Sequence, residues 1–184
     1  MANSYLNSAI KQFEYYKSLG DKTFHQLSND QFFWIADAHE NSIAIIVKHM
    51  VGNMLSRWTN FLTEDGEKDW RNRDQEFENS FTTKKEVIDY WEQGWQCLFD
   101  AITPLNTNDL EKIIYIRNHG HTVTEAINRQ LCHYSYHTGQ IVFLGKMLTN
   151  EKWQSLSIPK GNSKQYNQEK FSKDKMRKHF TEDL

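Results

Sequence analysis

Residues 122–148, TVTEAINRQLCHYSYHTGQIVFLGKML, decide the fold. Their apolar side chains recur every three or four positions, which is the period of one face of an α-helix. Thr122 followed three residues later by Glu125 is a capping-box pattern, and it predicts where this helix begins. The apolar positions are Ile127, Leu131, Tyr134, Ile141, Leu144 and Leu148. A helix of this length with one apolar face predicts a helical core.

Three earlier segments have the same periodicity. The first covers residues 5–19 and is expected to end at Gly20-Asp21. The second covers residues 41–62; Asn41 or Ser42 could cap its start, and residues 64–67 end it. The third covers residues 83–104, from a capping box at Thr83 and Glu86 to Pro104. Residues 63–80 form a polar connection, long enough to let two helices run parallel. Residues 113–124 predict a small β-hairpin. We therefore expect an all-α fold, a four-helix bundle with a long crossover between helices 2 and 3 and a small hairpin before helix 4.

Length and composition limit the organisation of the chain. The 184 residues suit one domain with an extension, which we place at 1–150 for the bundle and 151–184 for the C-terminal extension. With 22 Lys and Arg against 24 Asp and Glu, no overall charge favours nucleic acid or an anionic membrane. No apolar run reaches the length of a membrane span, no secretory signal is evident, and the two cysteines are isolated. These features predict a cytoplasmic protein with reduced cysteines.

Three histidines are the strongest candidates for chemistry. His133 and His137 lie one turn apart on the same face of the last predicted helix, where two imidazoles can share one metal ion. His49 lies midway along the second predicted helix among apolar residues. Histidines on core-forming helices are costly to bury without partners, and one divalent ion would satisfy all three. The alternative is that each is a hydrogen-bonded core residue.

The segments around these three histidines resemble those of a known family. Over about residues 4–150 the chain resembles the DinB/YfiT-like superfamily of small four-helix-bundle metalloproteins, through residues 46–54, IVKHMVGNM, and 133–141, HYSYHTGQI. The resemblance implies that His49, His133 and His137 hold one divalent metal ion. Residues 70–77, WRNRDQEF, and 156–163, LSIPKGNS, resemble segments of one subfamily.

The resemblance also implies an activity. Three histidine ligands leave a coordination position for water or substrate, and zinc, nickel, iron or manganese would fit them. Some relatives conjugate a low-molecular-weight thiol to an electrophile, so we expect a metal-dependent thiol S-transferase with a small-molecule thiol and an electrophile as partners. A metal-dependent hydrolase and a non-enzymatic binding protein with a structural metal are the alternatives. The sequence identifies no general acid or base. Wide apolar faces favour a homodimer, with the tryptophan-rich third helix as a candidate surface.

Four further residues are weaker candidates near the histidines. Asn53 and Gln140 lie within one helical turn of a predicted ligand, so either could hydrogen-bond a ligand imidazole or a substrate; the alternative is a helix-packing role. Cys132 precedes His133, but adjacent helix positions point about 100° apart, so we expect it to face elsewhere. Cys97 is expected in the core.

Two pairs outside the predicted helices also carry chemistry-bearing side chains. His119 and His121 are interpreted as turn residues of the hairpin, with a place at the mouth of a site as the alternative. Arg71 and Arg73 could bind a carboxylate-bearing cofactor. Acidic residues surround them, so an ion-paired surface loop is the preferred interpretation.

Overall fold

The computed structural model describes residues 4–37 and 39–183, and it is mostly helical. Its helices are α1 (Ser4–His25), α2 (Asn29–Phe33), α3 (Ile43–Trp58), α4 (Lys84–Ile102), α5 (Val123–Thr149) and α6 (Ser163–Phe171). Strands β1 (Ile113–Ile116) and β2 (His119–Thr122) form an antiparallel hairpin immediately before α5. The mostly helical fold and the hairpin are as predicted. No helix in these two ranges is both long enough and apolar enough to cross a membrane.

The predicted helix starts are confirmed by their capping hydrogen bonds. The Thr83 and Thr122 side chains accept from the backbone N–H groups of Glu86 and Glu125, and each glutamate accepts in return from the backbone N–H of its threonine. Ser42 caps α3 by accepting from the backbone N–H of Ile45. These bonds satisfy amide groups that have no partner inside the helix, so sequence positions 42, 83 and 122 fix where α3, α4 and α5 begin.

Two helix ends differ from the prediction. Helix α1 continues through Gly20 to His25. The glycine serves close packing against α4 instead of ending the helix: a Cβ atom there would lie 2.5 Å from Cζ2 of Trp91. Helix α3 ends at Trp58, before Phe61 and Leu62, because Asn60 adopts a left-handed backbone with φ of 48°. Phe61 is nevertheless buried. The apolar pattern thus marked buried positions correctly but overran the end of the helix.

Aromatic rings join the long helices in the core. Phe13 of α1 lies 6.3 Å from Trp95 of α4 and 6.0 Å from Tyr134 of α5, measured between ring centroids. Trp95 and Tyr134 lie 5.9 Å apart. Because Trp91 and Trp95 are fully buried, these two side chains are part of the core; the homodimer, with this helix as a candidate surface, stays a prediction. Such rings are the largest apolar contribution to a core of this size.

The connection between α3 and α4 folds back onto α3. Its short 3₁₀ helix, Asp74–Phe77, contacts α3, and the Lys48 ammonium donates to the Glu78 carbonyl at 2.6 Å. A connection this polar is expected to stay at the surface, but three of its charged side chains are not there: Lys68 and Glu76 are buried, and the Arg71 side chain is 2% exposed. They are tolerated in the interior because Arg71 pairs with Glu76 and Lys68 pairs with Glu64.

The residues after α5 pack against α1. Near the C-terminus, the Phe180 ring lies 5.6 Å from Tyr15, and His179 Nε2 lies 3.0 Å from the Ser8 hydroxyl. Lys11 forms an ion pair with Glu182. The boundary between a bundle and an extension at residue 150 stays a prediction.

Candidate metal centre

Three imidazoles from two helices converge at one point. Helix α3 supplies His49, which is buried, and α5 supplies His133 and His137, which are half-buried. The three ligand nitrogens all lie within 4.8 Å of one another. The Nε2 atom of His133 lies 3.4 Å from that of His49 and 3.1 Å from that of His137. Two nitrogens bound to one tetrahedral zinc ion at ~2.0–2.1 Å are about 3.3 Å apart, so these three residues could hold one metal ion.

Each of the three rings has a hydrogen-bond acceptor at its other nitrogen. The acceptors are Glu76 Oε2 at 2.9 Å from His49 Nδ1, Gln130 Oε1 at 3.3 Å from His133 Nδ1 and Gln140 Oε1 at 2.8 Å from His137 Nδ1. An imidazole that donates from Nδ1 is, when neutral, unprotonated at Nε2. Three lone pairs then face one another, and a shared cation would relieve their repulsion. Oxygen acceptors behind ligand histidines are typical of metal sites.

Burial keeps two of these histidines neutral. It lowers the pKa of His133 to about 3, helped by the nearby charges that His137 and His49 would carry if protonated. Burial also lowers the pKa of His137. Both rings are therefore neutral at pH 7, with their lone pairs available.

Glu76 and Arg71 fix the orientation of His49. Burial alone would raise the pKa of Glu76, but hydrogen bonds from His49 and Arg71 outweigh it and lower the pKa. The Arg71 guanidinium donates to both carboxylate oxygens, at 2.8 Å from Nε to Oε1 and 3.1 Å from Nη2 to Oε2. A carboxylate held in this way accepts strongly from His49.

Two of the three acceptors have a recognisable sequence signal. Gln130 lies three residues before His133 and Gln140 three residues after His137, so each shares a helix face with its histidine. Gln140 hydrogen-bonds His137, which is one of the roles that the sequence left open for it. The pattern did not single out Gln130, although the same spacing could have done so. Glu76 has no such signal, because it reaches His49 from the irregular connection.

The remaining candidates lie elsewhere or have other partners. Asn53 accepts from the Tyr134 hydroxyl at 3.0 Å, so its packing role is the one observed. Cys132 is exposed, and Cys97 is half-buried against the core. Within the described residues neither belongs to the group of converging ligand atoms. Burial raises the pKa of the Cys97 thiol, which makes it a poor nucleophile.

The two predicted pairs, His119 with His121 and Arg71 with Arg73, differ in where the structure places them. His119 and His121 lie on β2, and His119 is exposed; among the described residues they are not part of the converging group. Arg71 is ion-paired as predicted, with Glu76 and Glu67, but it is buried beside the centre and not on a surface loop. Arg73 is exposed.

The centre opens on one side into a pocket. This pocket has a volume of about 240 Å³, and His49 and His133 form part of its wall with Asn53 and Gln130. Five arginines complete the lining: Arg57, Arg71, Arg73, Arg117 and Arg129. A small molecule in the pocket could therefore reach the imidazoles, which is typical of a catalytic metal site and not of a closed structural one.

Comparison with known proteins gives one match. The family model described as "Protein of unknown function (DUF1572)" matches residues 1–162. This range includes the three histidines and the three oxygen acceptors behind them. No curated protein and no solved structure matches the chain.

Proposed function

Because the chain belongs to this family of proteins of unknown function, we propose its activity from the site: a metal-dependent transferase that conjugates a low-molecular-weight thiol to an electrophile. The fold and histidine pattern resemble the DinB/YfiT-like superfamily. In this proposal α1, α3, α4 and α5 form a four-helix bundle with a metal centre at one edge. The proposal has three parts: three histidines bind one metal ion, the ion keeps a free coordination position, and a thiol reacts there.

One observation carries the first part. The imidazoles of His49, His133 and His137 present three lone pairs to one another while each Nδ1 faces an acceptor oxygen. We assign these three residues as ligands of a single divalent ion. Zinc, nickel, iron and manganese all accept three imidazoles, so the donor set does not select among them.

The free coordination position of the ion would determine which reaction the site can catalyse. When bound, a divalent ion with three neutral ligands lowers the pKa of a coordinated thiol or water towards neutrality. The pocket beside His49 and His133 supplies access for a small thiol. In the overall reaction the thiol sulfur bonds to the electrophilic carbon, the thiol proton passes to solvent, and the leaving group departs with its electron pair.

The protein's own contribution is to hold the ligands still. Glu76, Gln130 and Gln140 fix the orientation of the rings, and Arg71 fixes Glu76. Behind this layer the Tyr134 hydroxyl accepts from the Trp58 indole at 3.1 Å and donates to Asn53. Rigid support of this kind is required for a metal site to keep its geometry. No side chain is assigned as a general acid or base.

The test starts with metal analysis of untagged protein by mass spectrometry. Thiol consumption is then followed with bacillithiol, glutathione, cysteine and 2-mercaptoethanol against 1-chloro-2,4-dinitrobenzene, and ester hydrolysis is assayed in parallel. We expect about one ion per chain and metal-dependent thiol consumption. His137→Ala should lose both and stay folded by circular dichroism, while His119→Ala, at an exposed histidine, should keep both.

Three outcomes would overturn the proposal, each in a different way. A folded His137→Ala variant with unchanged metal content refutes the ligand assignment. Metal-dependent ester hydrolysis without thiol consumption makes the protein a hydrolase. Loss of the fold on metal removal, with neither activity in the loaded protein, makes the ion structural.

A further inference from the structure

The pocket beside the metal centre is lined by more arginines than it has carboxylates to pair with them. Glu67 contacts three of the five guanidinium groups, those of Arg57, Arg71 and Arg117, and Glu76 contacts Arg71 again. Asp65 adds a third carboxylate near Arg57, and it also accepts from the backbone N–H groups of residues 67, 117 and 118, so five guanidinium groups face three carboxylates. Positive charge is therefore left over on this wall of the site.

Two of the five arginines are available for a ligand. Within residues 4–37 and 39–183, neither Arg73 nor Arg129 forms an ion pair, and both are exposed. Arg73 comes from the connection before α4, whereas Arg129 is on α5, one turn before His133. They approach the same pocket from different elements.

Arg73 is held in position by a stack of rings. Its guanidinium lies 5.1 Å from the centroid of the Phe77 ring, and Phe77 stacks on His49 with centroids 5.0 Å apart and planes 27° apart. Stacking of this kind restricts a side chain that would otherwise be free, so less entropy is lost when it binds a ligand. The same stack fixes the position of Arg73 relative to the imidazole of His49.

From this arrangement we infer that the pocket binds an oxyanion group, a carboxylate or a phosphate, of the molecule whose reactive end reaches the histidines, with Arg73 and Arg129 as its direct contacts. Guanidinium groups bind both groups in bidentate fashion. A volume of about 240 Å³ admits a small acidic molecule and excludes a folded partner. The identity of this molecule as a thiol rests on the proposed function; the anion site does not.

The first experiment measures anion binding without catalysis. Inorganic phosphate, succinate and the uncharged succinamide are titrated into wild-type protein and into His137→Ala, which leaves the pocket wall unchanged, and binding is followed by isothermal calorimetry and amide NMR shifts. We expect phosphate or succinate to bind and succinamide not to bind. The Arg73→Gln/Arg129→Gln double variant should bind the anion about tenfold more weakly. Arg177→Gln, which removes one exposed arginine outside the pocket, should bind as the wild type does.

Comparing the binding of phosphate with that of succinate shows which kind of oxyanion group the pocket recognises. Stronger phosphate binding points to a phosphorylated substrate, and stronger succinate binding to a carboxylate-bearing one. Equal binding by the double variant and the wild type, or no binding of either anion, overturns the inference. Anion binding by wild-type protein that is loaded with metal and still consumes no thiol would refute the proposed function and leave the anion site standing.

The second experiment uses turnover where the enzyme has it. For a carboxylate-bearing thiol such as glutathione, the double variant should show KM raised about tenfold with little change in kcat, because the lost contacts are remote from the reacting sulfur. For 2-mercaptoethanol the KM should not change. An equal rise in KM for both thiols would show general damage to the pocket. It would refute the assigned contact between the two arginines and the carboxylate of the thiol.

Discussion

Gly52 leaves the space that the Glu76 carboxylate occupies: a Cβ atom on Gly52 would lie 2.5 Å from Oε1 of Glu76. The carboxylate cannot retreat without loss, since it accepts from His49 at 2.9 Å and from Arg71 at 2.8 Å. Gly52 also lies on α3 less than one turn after His49. The glycine is therefore a packing requirement of the histidine centre, because it leaves room for the carboxylate that accepts from His49.

Gly52→Ala should weaken metal binding. The added methyl group displaces Glu76, so His49 loses the acceptor that fixes its ring, and loss of such a partner typically costs roughly 10–100-fold in metal affinity. The measurement is a competition titration with a chromogenic zinc chelator. Gly139→Ala is the matched control, because a Cβ there meets no atom within 4 Å. If both alanine variants bind zinc as tightly as the wild type, Glu76 does not support the centre.

Alanine at two glycines of helix α5 should change stability in opposite directions. At Gly139 the added Cβ enters open space, so the variant gains helix propensity, and the free energy of unfolding should rise by about 0.5–1 kcal/mol. At Gly145 the Cβ would lie 2.4 Å from Cγ2 of Thr23, a fully buried side chain of α1. That variant should be less stable than the wild type. Urea unfolding followed by circular dichroism measures both, and a gain at Gly145 would contradict the packing described here.

Tyr134→Phe should destabilise the protein by about 1–3 kcal/mol, because it leaves two buried polar groups without a partner. The lost hydroxyl accepts from Trp58 Nε1 and donates to Asn53 Oδ1, and the ring itself is fully buried. Tyr136→Phe makes the same chemical change two residues along the helix at a side chain that is 63% exposed; there we expect a change within about 0.5 kcal/mol. Equal unfolding free energies for the two variants would show that the buried hydrogen bonds are energetically neutral.

Local patterns in the sequence are sufficient to predict the four long helices and two of the three histidines, but not the five-residue α2. Helical periodicity and capping boxes mark the starts at Thr83 and Thr122, because both depend on neighbours a few residues away. His133 and His137 lie on one helix, so their juxtaposition follows from the spacing alone. The helical spacing also explains why Gln140 could be predicted as a partner of His137.

Contacts between distant segments could not be predicted in this way. Glu76 reaches His49 from an irregular connection, and no periodicity relates their positions. The charged residues around Arg71 indicated a surface loop, since nothing local showed that Arg71 and Glu76 would satisfy each other in the interior. The left-handed Asn60 that ends α3 interrupts an apolar pattern that itself continues. In each case the tertiary contact overrides the local signal.

Metal should stabilise the folded protein by an amount that grows with the logarithm of the free ion concentration above Kd. The three imidazoles come from α3 and α5, so the complete ligand set exists only in the folded state. An ion that binds the native state alone stabilises it by about 2.7 kcal/mol at a free concentration of one hundred times Kd. Chelator-treated wild type, titrated with zinc during urea unfolding, should therefore show a midpoint that rises with zinc concentration. The same titration of His137→Ala should give a flat line, whereas His119→Ala should follow the wild type. A midpoint in the wild type that does not respond to zinc, nickel, iron or manganese would show that the three histidines hold no ion.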